Sequence, residues 1–231
     1  MLKITGLEKS SLLDYPGKIS AIIFTHGCNL RCPYCHNPEL VIDGFNKSGS
    51  FSEEDVLPFL ESRKGKLDAL VITGGEPLVQ RDLLPFIKKV KDIGFLVKLD
   101  TNGTFPDRLK DFIETGLIDY IAMDVKYPKS EYIKESMIPG MGKKIEESIK
   151  IIMDSGLDYE FRTTYVKPLH SFESAEEIGK MIKGAKNYYI QNFRSGKTIN
   201  PTLTKENSFT TKELEQIKEV IEKYVENVQI R

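Results

Sequence analysis

Three features of the 231-residue chain predict an α/β fold built on a parallel sheet. There are six short β-branched or aromatic runs, a stretch of helical length follows each, and no Pro/Ser-rich linker or charge block divides them. ISAIIFT (19–25) is the first strand candidate, answered by SEEDVLPFLESR, which opens on a capping Ser. DALVIT (68–73) leads to RDLLPFIKKVKDIG, with Asp near its cap and Gly at its close. FLVKLD (95–100) is followed by FPDRLKDFIETG, and IDYIAMD (118–124) by KKIEESIKIIMDSG, both closing on Gly. DYEFRTTY (158–165) precedes SAEEIGKMIKG, and NYYIQNF (187–193) precedes TKELEQIKEVIEKYVEN. Such alternation implies right-handed crossovers, and both a doubly wound sheet and a six-unit barrel fragment satisfy the count. One domain over residues 1–231 is expected, with 1–18 an N-terminal extension and 205–231 a C-terminal helix.

Composition narrows the function classes. Thirty-three basic residues against 34 acidic ones give a formal charge of -1, so no general electrostatic field is available to hold a nucleic acid. A hydrophobic content of 40% is enough for a sizeable core. The start, MLKITGLEKSSLLDYPGK, lacks the apolar run of a signal peptide, and no segment reaches the roughly 18 apolar residues of a membrane helix. The expectation is a soluble, cytoplasmic protein without a membrane or nucleic-acid partner. In a reducing compartment, closely spaced cysteines more often bind metal or react than form disulfides.

Polar signatures fall at the carboxyl ends of the strand candidates. The loop THGCNLRCPYCHNP (25–38) follows the first, GGEP (74–77) the second and DTNG (100–103) the third. MDVK (123–126) closes the fourth, Arg162 and YVKP the fifth, and QNFR (191–194) the sixth. In parallel α/β architectures those ends share one rim, where active sites sit.

The loop 25–38 holds all three cysteines of the chain and two of its three histidines, spaced Cys28-x3-Cys32-x2-Cys35 with His36 next. Three thiolates so close in sequence face inward together only around a common centre. Two centres suit them: zinc with His36 as fourth ligand, or an iron–sulfur cluster that leaves one iron without a protein ligand. Asn29, Arg31, Pro33 and Asn37 make the loop polar, which disfavours buried inert cysteines.

CNLRCPYC, with Tyr34 just before the third cysteine, resembles the CxxxCxxC loop of the radical S-adenosylmethionine (SAM) superfamily, and GGEP, DTNG and MDVK strengthen the likeness. Within it, SLLDYPGKI leading into GCNLRCPYCHNPEL is similar to the activating enzymes of glycyl-radical proteins. The likeness is greatest to those serving anaerobic ribonucleoside-triphosphate reductases, and CxxxCxxCHN is shared with the pyruvate formate-lyase type. The resemblance spans residues 10 to about 194 and implies a partial (βα)6 TIM-type barrel of parallel strands. It further implies that Cys28, Cys32 and Cys35 ligate three irons of a 4Fe-4S cluster, whose fourth iron chelates the amino and carboxylate groups of SAM. One-electron reduction would then yield methionine and a 5'-deoxyadenosyl radical that takes hydrogen from its target. The implied partners are a glycyl-radical enzyme, anaerobic ribonucleotide reductase first, and a one-electron donor such as flavodoxin or ferredoxin.

The other loops acquire matching roles. Gly74 and Gly75 let backbone approach a ligand closely, and Glu76 with nearby carbonyls accepts from the SAM ammonium. Asp100 and Asp124 end neighbouring strands and need a cation between them: Lys126, the SAM sulfonium, or a monovalent metal ion as in relatives of the pyruvate formate-lyase type. Asn102 belongs to the same DTNG turn and joins the cofactor-binding set. Arg162 offers a planar fork for the SAM carboxylate, with a structural salt bridge as its plain alternative. Gln191 and Arg194 stand where relatives contact ribose, though this chain has no histidine there. Tyr34 and His36 are expected behind the cluster or facing adenine, and His26 and His170 receive no role. The competing functions are a radical SAM enzyme for a small molecule or RNA base, such as a deazapurine-forming enzyme, and a zinc-stabilised binding module without catalysis.

Overall fold

The computed structural model describes residues 1–41, 50–132 and 138–231. Eight strands form one sheet in the order of the chain: β1 (Ile4–Ser11), β2 (Ser20–Thr25), β3 (Ala69–Gly74), β4 (Leu96–Thr101), β5 (Tyr120–Asp124), β6 (Asp158–Tyr165), β7 (Asn187–Asn192) and β8 (Asn227–Ile230). The ladders β2–β3, β3–β4, β6–β7 and β7–β8 are parallel, and β1 runs antiparallel to β2. A doubly wound sheet reverses its strand order at a switch point, whereas this order never reverses, as a partial (βα)6 barrel requires. The six predicted strands are β2 to β7.

Between them lie α1 (Glu53–Glu61), α2 (Leu83–Ile93), α3 (Pro106–Glu114), α4 (Met141–Asp154), α5 (Phe172–Met181) and α6 (Thr211–Ile221). The caps do what their chemistry predicts. Thr210 and Glu213 form a reciprocal capping box at α6, and α2 ends on Gly94 in the left-handed conformation. Helix α5 begins two residues before its candidate because Ser171, not Ser174, is its cap, accepting from the Ser174 N–H.

Two strands lie in the segments expected as an N-terminal extension and a C-terminal helix. Within 1–18, β1 has mixed polar content and no alternating burial, and its conformation comes from pairing with the buried strand β2. Within 205–231 the helix stops at Ile221, and the last residues turn and pair with β7 as β8, whose one buried side chain is Val228.

The chain divides into two compact units, and the division falls within β5. The first comprises Met1–Asn29, Glu39–Thr101 and Asp107–Ile121. Tyr15 of the DYPGK stretch packs there with Ile22, Ala69, Val71 and Tyr120. Beside that cluster Lys98, 2% exposed, donates to the Asp14 carbonyl and lies 3.6 Å from Asp100 Oδ1.

The second unit comprises Leu30–Pro38, Asn102–Pro106 and Ala122–Arg231. Its sheet has two contrasting faces. On β6, Tyr159, Phe161 and Tyr165 are buried with Tyr188 and Ile190 of β7, each side chain contributing about 1.5–3 kcal/mol on burial. The alternate positions Glu160, Arg162 and Thr164 project to the opposite face, with Tyr189 and Gln191 as register partners of Arg162 and Thr164.

Candidate functional site

The cysteine loop leaves β2 at Thr25, and its neck is closed by the Gly27 N–H donating to the Leu40 carbonyl at 2.8 Å. GGEP is laced onto that neck: Gly75 N–H donates to Thr25 O at 2.9 Å and Glu76 N–H to Gly27 O at 2.8 Å. A Cβ on Gly75 would lie 2.1 Å from the Gly27 oxygen, and one on Gly74, whose φ is +120°, 2.3 Å from the Thr25 nitrogen. The close approach these glycines permit is therefore made to the chain itself. Glu76 is fully buried, and its Oε1 accepts from the Leu78 N–H at 3.1 Å and the Thr101 hydroxyl at 2.8 Å. That carboxylate ties the GGEP turn to the end of β4.

Cys28, Cys32 and Cys35 are all free thiols, Cys32 buried and the other two partly exposed. In the second unit a turn joins Cys35 N–H to Cys32 O at 3.0 Å, and Asn200 N–H pins the loop through the Pro33 carbonyl at 2.8 Å. Burial pushes the Cys32 thiol above its ordinary pKa, and the charge of Lys126 partly offsets this. Among the described residues no three His, Cys, Asp or Glu side chains gather as a cage for a single metal ion. Three free thiols on one loop are nonetheless the donor set of a three-thiolate cluster, which a disulfide would have consumed. Tyr34 is buried, edge-on to Tyr127 and His170, while exposed His36 stacks on Phe193 with centroids 5.6 Å apart.

The acidic strand ends each carry their own cation. Asp100 has Lys98, and Asp124 accepts from Arg162 Nε at 2.8 Å and from Lys126 Nζ at 3.2 Å. Burial alone would raise the Asp124 carboxyl, but the two cations outweigh it and hold its pKa at about 2. Asn102 closes its own turn, its Oδ1 accepting from the N–H and hydroxyl of Thr104. Gln191 is half-buried and accepts from the Thr164 hydroxyl, and Arg194 is exposed.

His170 is a residue that sequence reasoning missed. It is 4% exposed, and its Nδ1 accepts from the Val166 N–H at 3.1 Å, so its Nε2 carries the proton and donates to the Lys126 carbonyl at 2.8 Å. Burial lowers its pKa, in keeping with this neutral form. Tyr132 accepts from the Lys126 N–H at 2.8 Å, so Lys126 is fixed on both sides of its backbone. No spacing rule links residue 170 to residue 126; only the fold brings them together.

The model of the radical SAM superfamily matches residues 22–185. A protein of Methanocaldococcus jannaschii that bears the provisional name glycyl-radical enzyme activating enzyme is 36% identical, over 99% of this chain and 95% of its own length. The pyruvate formate-lyase-activating enzyme of Clostridium pasteurianum is 29% identical, over 81% of this chain and 79% of its own. Streptococcus suis SuiB bound to S-adenosylmethionine shares the fold at a TM-score of 0.62 and 15% identity, covering 91% of this chain and 51% of that one. No helix among the described residues is long and apolar enough to cross a membrane. The chain is an enzyme of the radical SAM superfamily, similar over nearly its whole length to a relative named for activating glycyl-radical enzymes.

Proposed function

We propose that this enzyme installs a glycyl radical in anaerobic ribonucleoside-triphosphate reductase. The observation that carries the reading is CNLRCPYCHN behind SLLDYPGK, in a chain aligned end to end with a relative named for glycyl-radical activation. Cys28, Cys32 and Cys35 would hold a 4Fe-4S cluster, with SAM against it. Bound there, the pair supplies one-electron cleavage of a carbon–sulfur bond and so the means to take hydrogen from a glycine.

The chain's own groups bind and orient. Arg162 presents its planar fork to the SAM carboxylate while Asp124 fixes it through Nε. Lys126, pinned by His170 and Tyr132, adds positive charge beside Asp124. Glu76 holds the GGEP backbone so that its carbonyls meet the SAM ammonium, and Gln191 lies toward the ribose. Buried Tyr34 backs the cysteine loop, and exposed His36 lies toward the adenine. A monovalent cation near Asp100 and Asp124 belongs to this reading, as does an electron donor such as flavodoxin or ferredoxin.

The partner follows from radical chemistry. A primary carbon radical is quenched by solvent, so its target must come into contact and exclude water. A protein that delivers a flexible glycine loop does both. The test is anaerobic incubation of reconstituted protein with SAM, reductant and the reductase, read by electron paramagnetic resonance. The glycyl doublet is expected on the reductase; its appearance only on a pyruvate formate-lyase-like protein would overturn the choice of partner.

A further inference from the structure

Tyr34 carries a hydroxyl that its surroundings leave unsatisfied. The side chain is 5% exposed and stands edge-on to Tyr127 and His170, with ring centroids 6.2 and 6.3 Å away. His170 is held at both ring nitrogens, and Tyr127 stacks on it at 5.6 Å with an interplanar angle of 3°. The Tyr34 ring is therefore clamped by fixed neighbours, and its backbone lies in the tight turn closed by Cys35 N–H and Cys32 O at 3.0 Å. Among the described residues no hydrogen bond of ordinary length and angle reaches Tyr34 Oη, which is wholly buried.

A buried donor without an acceptor is destabilising, and phenylalanine would fill the same space without that penalty. Burial and then the charge of Cys32 are the largest influences on the Tyr34 phenol and raise it well above its ordinary pKa; the nearby Tyr127 hydroxyl, which lowers it, is the smallest. Cys32 is thus the foremost charge-bearing neighbour of the orphaned group. Tyr132 and Asp124 also act on it, and each is already engaged: Tyr132 accepts from the Lys126 N–H, and Asp124 from Arg162 and Lys126. A thiol sulfur is a weak acceptor, whereas a cysteine sulfur bound to iron is a thiolate and a strong one. The acceptor that suits Tyr34 is therefore made when the loop takes up its cluster.

We propose that Tyr34 Oη donates a hydrogen bond to the Cys32 sulfur of the bound cluster and so raises the reduction potential of that cluster. This rests on the reading of Cys28, Cys32 and Cys35 as ligands of a 4Fe-4S centre. Reduction adds one negative charge, and a donor to sulfur favours the more negative state because hydrogen bonds to charged acceptors are the stronger ones. Tyr34 thereby sets how readily a one-electron donor reduces the cluster. The test compares the parent and Tyr34→Phe, each reconstituted, with iron content measured and the midpoint read by electron paramagnetic resonance during a reductive titration without SAM. Tyr34→Phe is expected to take up parental iron and to shift the reduction equilibrium about tenfold, a midpoint lower by about 59 mV for one electron. Metal-free Tyr34→Phe should unfold in urea at the parental midpoint or above it, because no hydrogen bond is lost.

A parental or raised reduction midpoint in Tyr34→Phe would overturn the proposal. So would a lower urea midpoint in the metal-free variant, since the hydroxyl would then be bonded before any cluster arrives. Should Tyr34→Phe fail to fold or to take up iron, 3-fluorotyrosine at position 34, a stronger donor of nearly the same size, must raise the reduction midpoint, and an unmoved value would overturn the proposal. A parent with intact thiols that binds no four-iron cluster would overturn the reading of the cysteine loop, and the proposal with it, before any variant is compared.

Discussion

Replacing Asp124 with Asn tests the electrostatics of the strand end without changing its shape. The carboxyl is held at about 2 against an ordinary 3.8, and such a shift corresponds to about 2.4 kcal/mol of folding stability at neutral pH. The side chain is 30% exposed, so solvent screening reduces this to about 1–2 kcal/mol. Because the folded pKa is depressed, the stabilisation is fully present above the unfolded value of 3.8 and is lost as pH falls through 2. Urea unfolding of metal-free parent and Asp124→Asn protein should differ by that amount at pH 7, and by about half of it at pH 3. Below pH 2 a protonated Asp and an Asn are electrically alike, and the difference should vanish. A gap that stays constant from pH 7 to pH 3, or no gap at pH 7, would refute the argument that Arg162 and Lys126 set this carboxylate.

Three further outcomes are expected. Cys28→Ala, Cys32→Ala and Cys35→Ala each abolish SAM cleavage and lower bound iron, whereas His36→Ala is milder; stoichiometric iron in a cysteine variant would contradict the assignment. Lys126→Ala weakens SAM binding in calorimetry while leaving iron content intact, since its Nζ bonds to Asp124 rather than to a thiol. Gly75→Ala drives a methyl into the Gly27 carbonyl 2.1 Å away, costing about 1–3 kcal/mol in urea unfolding and reducing iron uptake by displacing the neck of the cysteine loop.

Much of this molecule is legible in its sequence, for identifiable reasons. Strands β2 to β5 announce themselves because buried parallel strands are apolar and β-branched, β6 and β7 because aromatic residues recur along them, and the helices because caps and turn glycines have local chemistry. The cysteine loop is legible because three thiols within eight residues have few explanations. Strand β1 is not, since its register partners in β2, not its own side chains, make it a strand. Glu76 is visible as a residue of a motif, but its burial and its bond to Thr101 depend on β4 lying beside β3. His170 is hidden for the same reason: 44 residues separate it from Lys126.

The bond from Gly27 to Leu40 gives the cysteine loop a boundary. Whatever the thiols hold, the main chain enters and leaves the loop through one hydrogen-bonded gate, itself buttressed by the Gly75 and Glu76 amides. Rearrangement of residues 28 to 39 on gaining or losing a cluster is thereby fenced off from β2, and the cost of ordering the loop is confined to the few residues inside the fence. A labile inorganic centre can then be lost and rebuilt while the sheet that receives it keeps its form.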